Sequence, residues 1–134
     1  MVDFPSAKPA ESPDAVAPDG SQVRLLTALK GGSFAHFTLP AGAISRAVRH
    51  KNVEEIWWFV SGQGALWRRE GDTEKIEPVK PGLCVAIPPG VTFQFRAHWD
   101  TPLVFVAVTM PPWPGEQEAE MAEGLWDSTN GAPG

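Results

Sequence analysis

The fifteen residues His50–Gly64 read His-Lys-Asn-Val-Glu-Glu-Ile-Trp-Trp-Phe-Val-Ser-Gly-Gln-Gly, and this stretch decides the fold. Its centre is an apolar run that predicts a β-strand, in which successive side chains point to opposite faces. One face then carries Glu55, Trp57 and Phe59, and the other carries Ile56, Trp58 and Val60. Since both faces are apolar, the strand must be covered on both sides, and the Glu55 carboxylate needs a partner if it is buried.

Composition limits the classes of protein that the chain can belong to. Its 134 residues suit one domain that folds without disulfides. The single cysteine, Cys84, lies in an apolar run, and we expect a buried structural thiol in a protein of the reducing cytosol. The net charge of -5 disfavours nucleic acid as a partner, because phosphate binding depends on clustered Lys and Arg. The N-terminus has no leader pattern and no run has membrane-spanning length, so we expect a cytoplasmic protein without a membrane partner.

The chain divides into three parts by composition. Residues 1–20 are rich in Pro, Ala, Ser and acidic residues and cannot bury enough apolar surface to order themselves, so we expect a flexible arm. Residues 21–114 form the predicted barrel. Residues 115–134 form a C-terminal tail that we expect to pack through Trp126.

From Ser21 onward, short apolar runs separated by Gly and Pro predict an all-β domain. Nine strands are expected, at Val23–Ala28, Ser33–Leu39, Ile44–His50, Glu55–Ser61, Ala65–Arg69, Glu74–Val79, Leu83–Ile87, Thr92–Arg96 and Leu103–Thr109. Turn signals recur about every ten residues, which is typical of a sandwich or barrel.

The connections carry specific turn chemistry. Lys80-Pro81-Gly82 and Pro88-Pro89-Gly90 predict type II turns, because Pro fixes φ and Gly accepts a positive φ. Ser61-Gly62-Gln63-Gly64 is expected to close a hairpin. In the strand after Gly90, the alternation places Phe93 and Phe95 on one face. The opposite face then carries Thr92, Gln94 and Arg96.

Two sets of residues resemble the sequence motifs of cupins. The first motif is a Gly, then His-x-His, Glu and Gly, and its positions are occupied here by Gly42, Val48, His50, Glu55 and Gly62. The second is a Gly, then Pro-x-Gly, His and Asn, and its positions are occupied by Gly82, Pro88, Gly90, Phe93 and Ala97. The chain thus resembles the cupin superfamily, which implies a double-stranded β-helix, the jelly-roll barrel of the RmlC-like type.

The resemblance also implies a metal site, but two of its usual ligands are replaced. Metal-binding cupins usually supply three His and one Glu, whereas Val48 and Phe93 leave only His50 and Glu55. A divalent transition metal normally needs three protein ligands or more, so we expect no cofactor. Binding of a divalent metal is the alternative if His36 or His98 supplies another ligand. Without a metal, His50 and Glu55 hydrogen-bond to each other or to Arg46.

The strand faces predict an aromatic cavity with a few polar groups, the usual anatomy of a small-molecule site. The expected ligand-binding residues are Arg46, Val48, His50, Glu55, Trp57, Trp67, Phe93 and Phe95. Arg46 could bind a carboxylate or phosphate oxygen, or it could form an internal ion pair with Glu55. His50 and Glu55 are the candidate catalytic pair, as acid or base and its partner.

The outward set of Ile56, Trp58 and Val60 predicts a subunit interface, because a monomer seldom leaves such a strip in water. We expect a homodimer, and the alternative is that the arm or the tail covers the strip. In the tail, residues 116–123 are compatible with one short helix. Trp113 and Trp126 are expected to anchor the tail across the barrel mouth or an intersubunit groove, with residues 127–134 loose.

Two functions of different classes follow from these residues. The first is a metal-independent module that binds a small organic ligand, with Arg46 and His50 as anchors. The second is an enzyme, either an isomerase, cyclase or lyase using His50 and Glu55, or a metalloenzyme with a degenerate site. Replacement of the usual His by Val48 and Phe93 favours the first, and the presence of His50 and Glu55 favours the second.

Overall fold

The computed structural model describes residues 4–129, which form two facing β-sheets. The strands are β1 (Ala15–Val16), β2 (Gln22–Leu29), β3 (Gly32–Leu39), β4 (Val48–His50), β5 (Glu54–Ser61), β6 (Gly64–Glu70), β7 (Thr73–Val79), β8 (Cys84–Ile87), β9 (Thr92–Ala97), β10 (Leu103–Met110) and β11 (Ala119–Met121). A short 3-10 helix, η1 (Glu116–Glu118), precedes β11. None of the helical structure within residues 4–129 is long and apolar enough to cross a membrane.

Each sheet consists of antiparallel strands, and the chain passes repeatedly from one sheet to the other. Sheet A has the strand order β1-β2-β3-β10-β5-β8, and sheet B has the order β11-β4-β9-β6-β7. Alternate residues of both sheets point into the space between them, where they form one apolar core. This arrangement is the double-stranded β-helix that the sequence predicts.

Strand β5 lies inside sheet A, between β10 and β8, and its two faces differ as predicted. Glu55, Trp57 and Phe59 are buried, at 6%, 1% and 0% exposure. Trp57 stacks on Phe105, with ring centroids 4.3 Å apart, and meets the edges of Phe93 and Phe95. The core therefore centres on the inner face of this strand.

The two predicted type II turns are confirmed. The Leu83 amide donates to the Lys80 carbonyl at 3.2 Å, and the Val91 amide donates to the Pro88 carbonyl at 3.3 Å. Gly82 and Gly90 have φ values of 92° and 82°, the positive range that this turn requires of its third residue.

The hairpin expected at Ser61–Gly64 is wrong, because the segment carries the chain from sheet A to sheet B. Gly62 has a φ of 85°, and a Cβ there would lie 2.1 Å from the Pro102 carbonyl oxygen. A Cβ at Gly64 would lie 2.0 Å from the Arg96 carbonyl oxygen. Both glycines let the backbone pass close to other backbone segments of the same chain where it goes from sheet A to sheet B.

The expected strand at Ile44–His50 is shorter, because only Val48–His50 has regular pairing. Ile44 makes an isolated bridge to Arg96, and Ser45 interrupts the ladder. The Ser45 hydroxyl accepts the Phe95 amide at 3.0 Å, while its own amide donates to the Phe95 carbonyl at 2.9 Å. A side chain thus takes one of the bonds that a strand partner would make.

The C-terminal segment runs across the outer face of sheet B. Residues 116–123 do not form one helix, because η1 ends at Glu118 and the chain continues as β11, which pairs with β4. Gln94 lies on the outer face as predicted, but the segment buries it to 1% exposure. Its amide nitrogen donates to the carbonyls of Ser45 (2.9 Å) and Trp126 (2.8 Å), and its oxygen accepts the amides of Leu125 (2.9 Å) and Trp126 (3.0 Å).

Two further contacts hold the end of this segment. The Trp126 ring lies 4.6 Å from the Arg96 guanidinium carbon, a cation–π contact. The Thr129 hydroxyl accepts the Ile44 amide at 2.9 Å, and the Ser128 hydroxyl donates to the Ile44 carbonyl at 3.2 Å. These contacts fix where Ser128 and Thr129 lie, whereas looseness of residues 127–134 stays a prediction, and residues 130–134 lie outside the described part.

The N-terminal segment is held at the edge of sheet A. Ala15 and Val16 pair with β2, and the Asp14 carboxylate accepts the Leu25 amide at 2.8 Å. Arg24 donates to the carbonyls of Ala10 (2.7 Å) and Glu11 (3.1 Å). Flexibility of the whole arm at 1–20 stays a prediction, although these contacts fix where residues 10–16 lie.

The outer face of sheet A is open and apolar in the described chain. Ile56, Trp58 and Val60 are 45%, 50% and 41% exposed. Cys84 lies opposite Trp58 on β8, the edge strand, and is exposed. The prediction of a buried thiol is wrong, because β8 buries Val85 and Ile87 while its alternate residues face outward.

Candidate functional site

A cavity of about 170 Å³ lies between the two sheets, at the end where the N-terminal segment crosses them. Its walls are mainly aromatic and aliphatic side chains of the core. Its lining includes Asp19, Val48, His50, Glu55, Trp57, Phe93, Phe105, Ala107, Trp113 and Glu116. The site is thus an apolar pocket with a few polar groups, as predicted from the strand faces.

His50 and Glu55 meet inside this cavity. His50 ends β4 in sheet B and Glu55 lies near the start of β5 in sheet A, so the short connection between them sets their separation. The His50 Nδ1 and Glu55 Oε2 atoms are 2.8 Å apart, and both side chains are 6% exposed. The geometry at Nδ1 does not meet the angle that a hydrogen bond requires, so the contact is close but poorly aligned.

The Glu55 carboxylate is held on its other side by Trp57. The Trp57 indole Nε1 donates to Glu55 Oε1 at 2.8 Å, which fixes the carboxylate at the floor of the cavity. His50 is bracketed by two aromatic rings. Its ring centroid lies 5.3 Å from that of Phe93 and 5.1 Å from that of Trp113, both edge-on. The pair is therefore oriented by aromatic neighbours as much as by its own contact.

Glu118 fixes the connection between His50 and Glu55. Its carboxylate accepts the amides of Asn52 and Val53, the second at 2.6 Å, and the Asn52 side-chain amide at 3.3 Å. Burial raises the pKa of Glu118, but these hydrogen bonds outweigh it, and the pKa lies below its usual value. An ionised Glu118 thus ties the C-terminal segment to the loop that positions the candidate pair.

Asp19 brings a further carboxylate to the cavity from the N-terminal segment. Its Oδ1 accepts the Ser21 amide at 2.9 Å and the Ser21 hydroxyl at 2.6 Å. Burial raises the pKa of this carboxyl, the Ser21 hydrogen bonds oppose the shift, and nearby Glu55 adds to it. Asp19 was not foreseen, because it falls in the predicted flexible arm.

Five of the eight predicted ligand-binding residues line the cavity: Val48, His50, Glu55, Trp57 and Phe93. Phe95 is fully buried in the core next to it. Trp67 is buried on the outer face of sheet B beside Gln94, and its indole nitrogen has no hydrogen-bond partner. Arg46 lies outside the cavity, where its guanidinium donates to the Pro18 carbonyl at 3.3 Å and its amide to the Asp19 carbonyl at 2.8 Å.

The residues present do not fit the metal site that the motifs imply. Val48 and Phe93 face each other in register across β4 and β9, so apolar groups fill two ligand positions. His98 lies at the surface against Asp100, with Nδ1 2.5 Å from Oδ1, and His36 pairs with Val106 on the outer face of sheet A. Neither histidine adds a ligand, and within residues 4–129 no group of three or more His, Cys, Asp or Glu is arranged to hold a metal.

Trp113, which the sequence predicts at the barrel mouth or in an intersubunit groove, lines the cavity beside His50. Trp113 lies in the proline-rich exit after β10, where its amide donates to the Ser33 hydroxyl at 2.9 Å. In the sequence, the position of Trp113 between two prolines is the feature that indicates an anchored segment. Which wall it contacts depends on packing that no local pattern encodes.

The double-stranded β-helix and its internal cavity define a small barrel protein of the jelly-roll class. The cupin-domain family model matches residues 35–109, more than half of the chain. An uncharacterized protein of Methanocaldococcus jannaschii is 30% identical over 113 residues, which cover 81% of this chain and 86% of that protein. The chain belongs to the cupin family.

Solved structures with the same fold are more distant in sequence. PAC13 of Streptomyces, determined with uridine, is 12% identical with a TM-score of 0.67, over 91% of this chain and 92% of PAC13. KdgF from a Halomonas species is 14% identical with a TM-score of 0.62, over 73% and 85% of the two chains. CapF from Staphylococcus aureus is 20% identical with a TM-score of 0.66, over 82% of this chain but only 34% of CapF. These likenesses show the fold.

Proposed function

We propose that this cupin binds a small organic molecule in the cavity between its sheets, without a metal ion. The observation that carries the proposal is the aromatic cavity of about 170 Å³ with the His50–Glu55 pair at its floor. Aromatic walls supply apolar contact area, and the few polar groups fix the orientation of a ligand. The uridine in the Streptomyces PAC13 structure is an instance of a small ligand with this fold.

A cavity-filling variant tests the proposal. Ala107 is 1% exposed and lines the cavity, so Ala107→Leu places a larger side chain where the ligand would lie. We expect a compound found by a thermal-shift screen of small organic molecules to lose most of its affinity for this variant. Ala86→Leu, at an exposed position of β8, is the matched control and should bind as the wild type does. Equal affinity of both variants for the compound would refute binding in this cavity.

Metal independence is tested separately. Protein purified without a His tag and analysed by elemental mass spectrometry should contain less than about a tenth of an equivalent of any transition metal, because two ligands seldom retain one. A stoichiometric metal that disappears in His50→Ala would overturn the metal-independent proposal. The control is His36→Ala, on the outer face of sheet A.

The second candidate function is an isomerase, cyclase or lyase, and the buried contact between His50 and Glu55 favours it. A carboxylate beside an imidazole can orient the ring and balance its charge while the imidazole exchanges a proton with a substrate. Here His50→Ala should abolish turnover of a bound compound while leaving its binding largely intact. If turnover persists in His50→Ala, this histidine is not the acid or base.

We also propose that the chain forms a homodimer in the cytoplasm. The open apolar face of sheet A, with Ile56, Trp58 and Val60, supports the dimer. The sequence contains one cysteine, so no disulfide can form within a chain, and this supports a reducing compartment. Light scattering coupled to size exclusion tests the dimer, and a monomer of 14.5 kDa would refute it.

A further inference from the structure

The charged groups that line the cavity are almost all acidic. Asp19, Glu55 and Glu116 line it, and His50 is the other titratable residue of the lining. No Lys or Arg is present among the lining residues in the described chain. Arg46, the basic residue expected at the site, instead holds the N-terminal segment through the Pro18 carbonyl. This lining disfavours an anionic ligand such as a carboxylate or phosphate, because the ligand would lie near the buried Glu55 carboxylate and no Lys or Arg of the lining would attract it.

The aromatic groups of the lining add to this preference. Trp57, Phe93, Phe105 and Trp113 form much of the wall around Glu55 and His50. The face of an aromatic ring carries partial negative charge and attracts a cation, most strongly where water is excluded. Glu55 is held between these rings by the Trp57 indole and is 6% exposed, so its charge is little screened by solvent.

The His50–Glu55 contact supplies a second indication. The His50 Nδ1 atom is buried and makes no aligned hydrogen bond, although a Glu55 oxygen lies 2.8 Å away. A carboxylate has about four lone-pair sites, so Glu55 keeps acceptor capacity beyond its contacts with His50 and the Trp57 indole. An N–H donor of a ligand in the cavity would use that capacity.

We propose that the ligand is a small organic ammonium ion with an apolar body of about the size of benzene, its nitrogen directed at Glu55. The size follows from the cavity volume of about 170 Å³, since a comparable apolar cavity of about 150 Å³ holds one benzene molecule. The proposal rests on the proposed function, because it names the class of ligand for the same cavity. Glu55 provides the counter-charge, and the rings around it pack against the body of the ligand.

Three probes of one shape and different charge test this class. Benzylammonium, benzyl alcohol and benzoate share a ring and differ in charge at the substituent. In isothermal titration calorimetry at pH 7, we expect benzylammonium to bind about tenfold more tightly than benzyl alcohol, the range expected for a buried cation–π and carboxylate contact. Benzoate should bind more weakly than the alcohol.

Glu55→Gln tests whether the carboxylate sets the preference, because glutamine keeps the size and an oxygen that can accept the Trp57 indole. We expect this variant to lose most of the preference for benzylammonium while its affinity for benzyl alcohol stays within about threefold, since only the charge is removed. Glu54→Gln is the matched control, because Glu54 precedes it on β5 and is exposed. The control should keep the wild-type preference.

The outcomes separate this inference from the function on which it rests. If benzyl alcohol or benzoate binds wild-type protein as tightly as benzylammonium, the cavity binds small molecules but the ammonium class is wrong. If none of the three probes binds, the ammonium class is wrong, and if Ala107→Leu also leaves the affinity of every screened compound unchanged, the proposed function fails with it. A preference for benzylammonium that survives in Glu55→Gln would overturn the assignment of Glu55.

Discussion

Replacement of Gln94 by Leu should release the C-terminal segment from sheet B. The Gln94 amide makes four hydrogen bonds of 2.8–3.0 Å, three of them to Leu125 and Trp126. A net hydrogen bond contributes about 0.5–1.5 kcal/mol, so four give about 2–6 kcal/mol before the apolar gain of leucine is subtracted. We expect the free energy of unfolding to fall by about 2–4 kcal/mol, since leucine leaves those backbone groups without partners.

Urea denaturation followed by circular dichroism measures this loss. With a slope of about 2 kcal/mol per molar urea, the midpoint should fall by roughly 1–2 M at unchanged slope. Gln63→Leu is the matched control, because Gln63 is exposed, and it should change stability by less than about 0.5 kcal/mol. Deletion of residues 124–134 should cost at least as much, because it also removes the Trp126–Arg96 contact and the hydrogen bonds of Ser128 and Thr129 to Ile44. The two losses should not add in the double variant, because the deletion already removes three of the four Gln94 hydrogen bonds. A Gln94→Leu midpoint equal to that of Gln63→Leu would refute this account.

Three further predictions concern Glu118, Asp19 and the outer face of sheet A. Glu118→Gln should lower the free energy of unfolding by about 1.5–3 kcal/mol at pH 7. Because the pKa of Glu118 is lowered in the folded state, the difference from wild type should disappear as the pH falls below 4.5. A difference that does not change with pH would contradict this. Asp19→Asn should raise the free energy of unfolding at pH 7, because the raised pKa of Asp19 makes its ionisation in the folded state costly above pH 3.8. In urea titrations, a gain in stability that persists well below that pH would contradict this prediction. Trp58→Lys should convert the proposed dimer to a monomer in light scattering, whereas Ile76→Lys, at an exposed position of sheet B, should not; a dimeric Trp58→Lys would argue against this interface.

The sequence predicts the barrel well where local rules apply. The alternation in β5 assigns Glu55, Trp57 and Phe59 to the interior because the side-chain period of a strand is two. The turns at Gly82 and Gly90 were predictable because proline and a positive-φ glycine define a type II turn. These features depend on a few neighbouring residues, so a single sequence is enough to infer them.

The parts that could not be predicted depend on which segments cover which surfaces. Cys84 lies on the outward side of β8, and only the tertiary structure shows that nothing in the described chain buries it. Arg46 lies outside the cavity because an irregular segment at Ser45 breaks the strand whose alternation would have pointed it inward. Asp19 and Trp113 enter the cavity from segments remote in sequence, and no local periodicity relates them to His50.

The exposed position of Cys84 makes the chain suitable for single-site labelling. It is the one cysteine in the sequence, so a thiol-reactive dye or spin label would attach at a single point without any prior mutation. The label would stand directly across from Trp58, in register on the neighbouring strand, where indole quenching reports on short distances. On a two-fold dimer formed through this face, paired spin labels would give one inter-label distance, and its absence at any concentration would show that this face does not join two subunits.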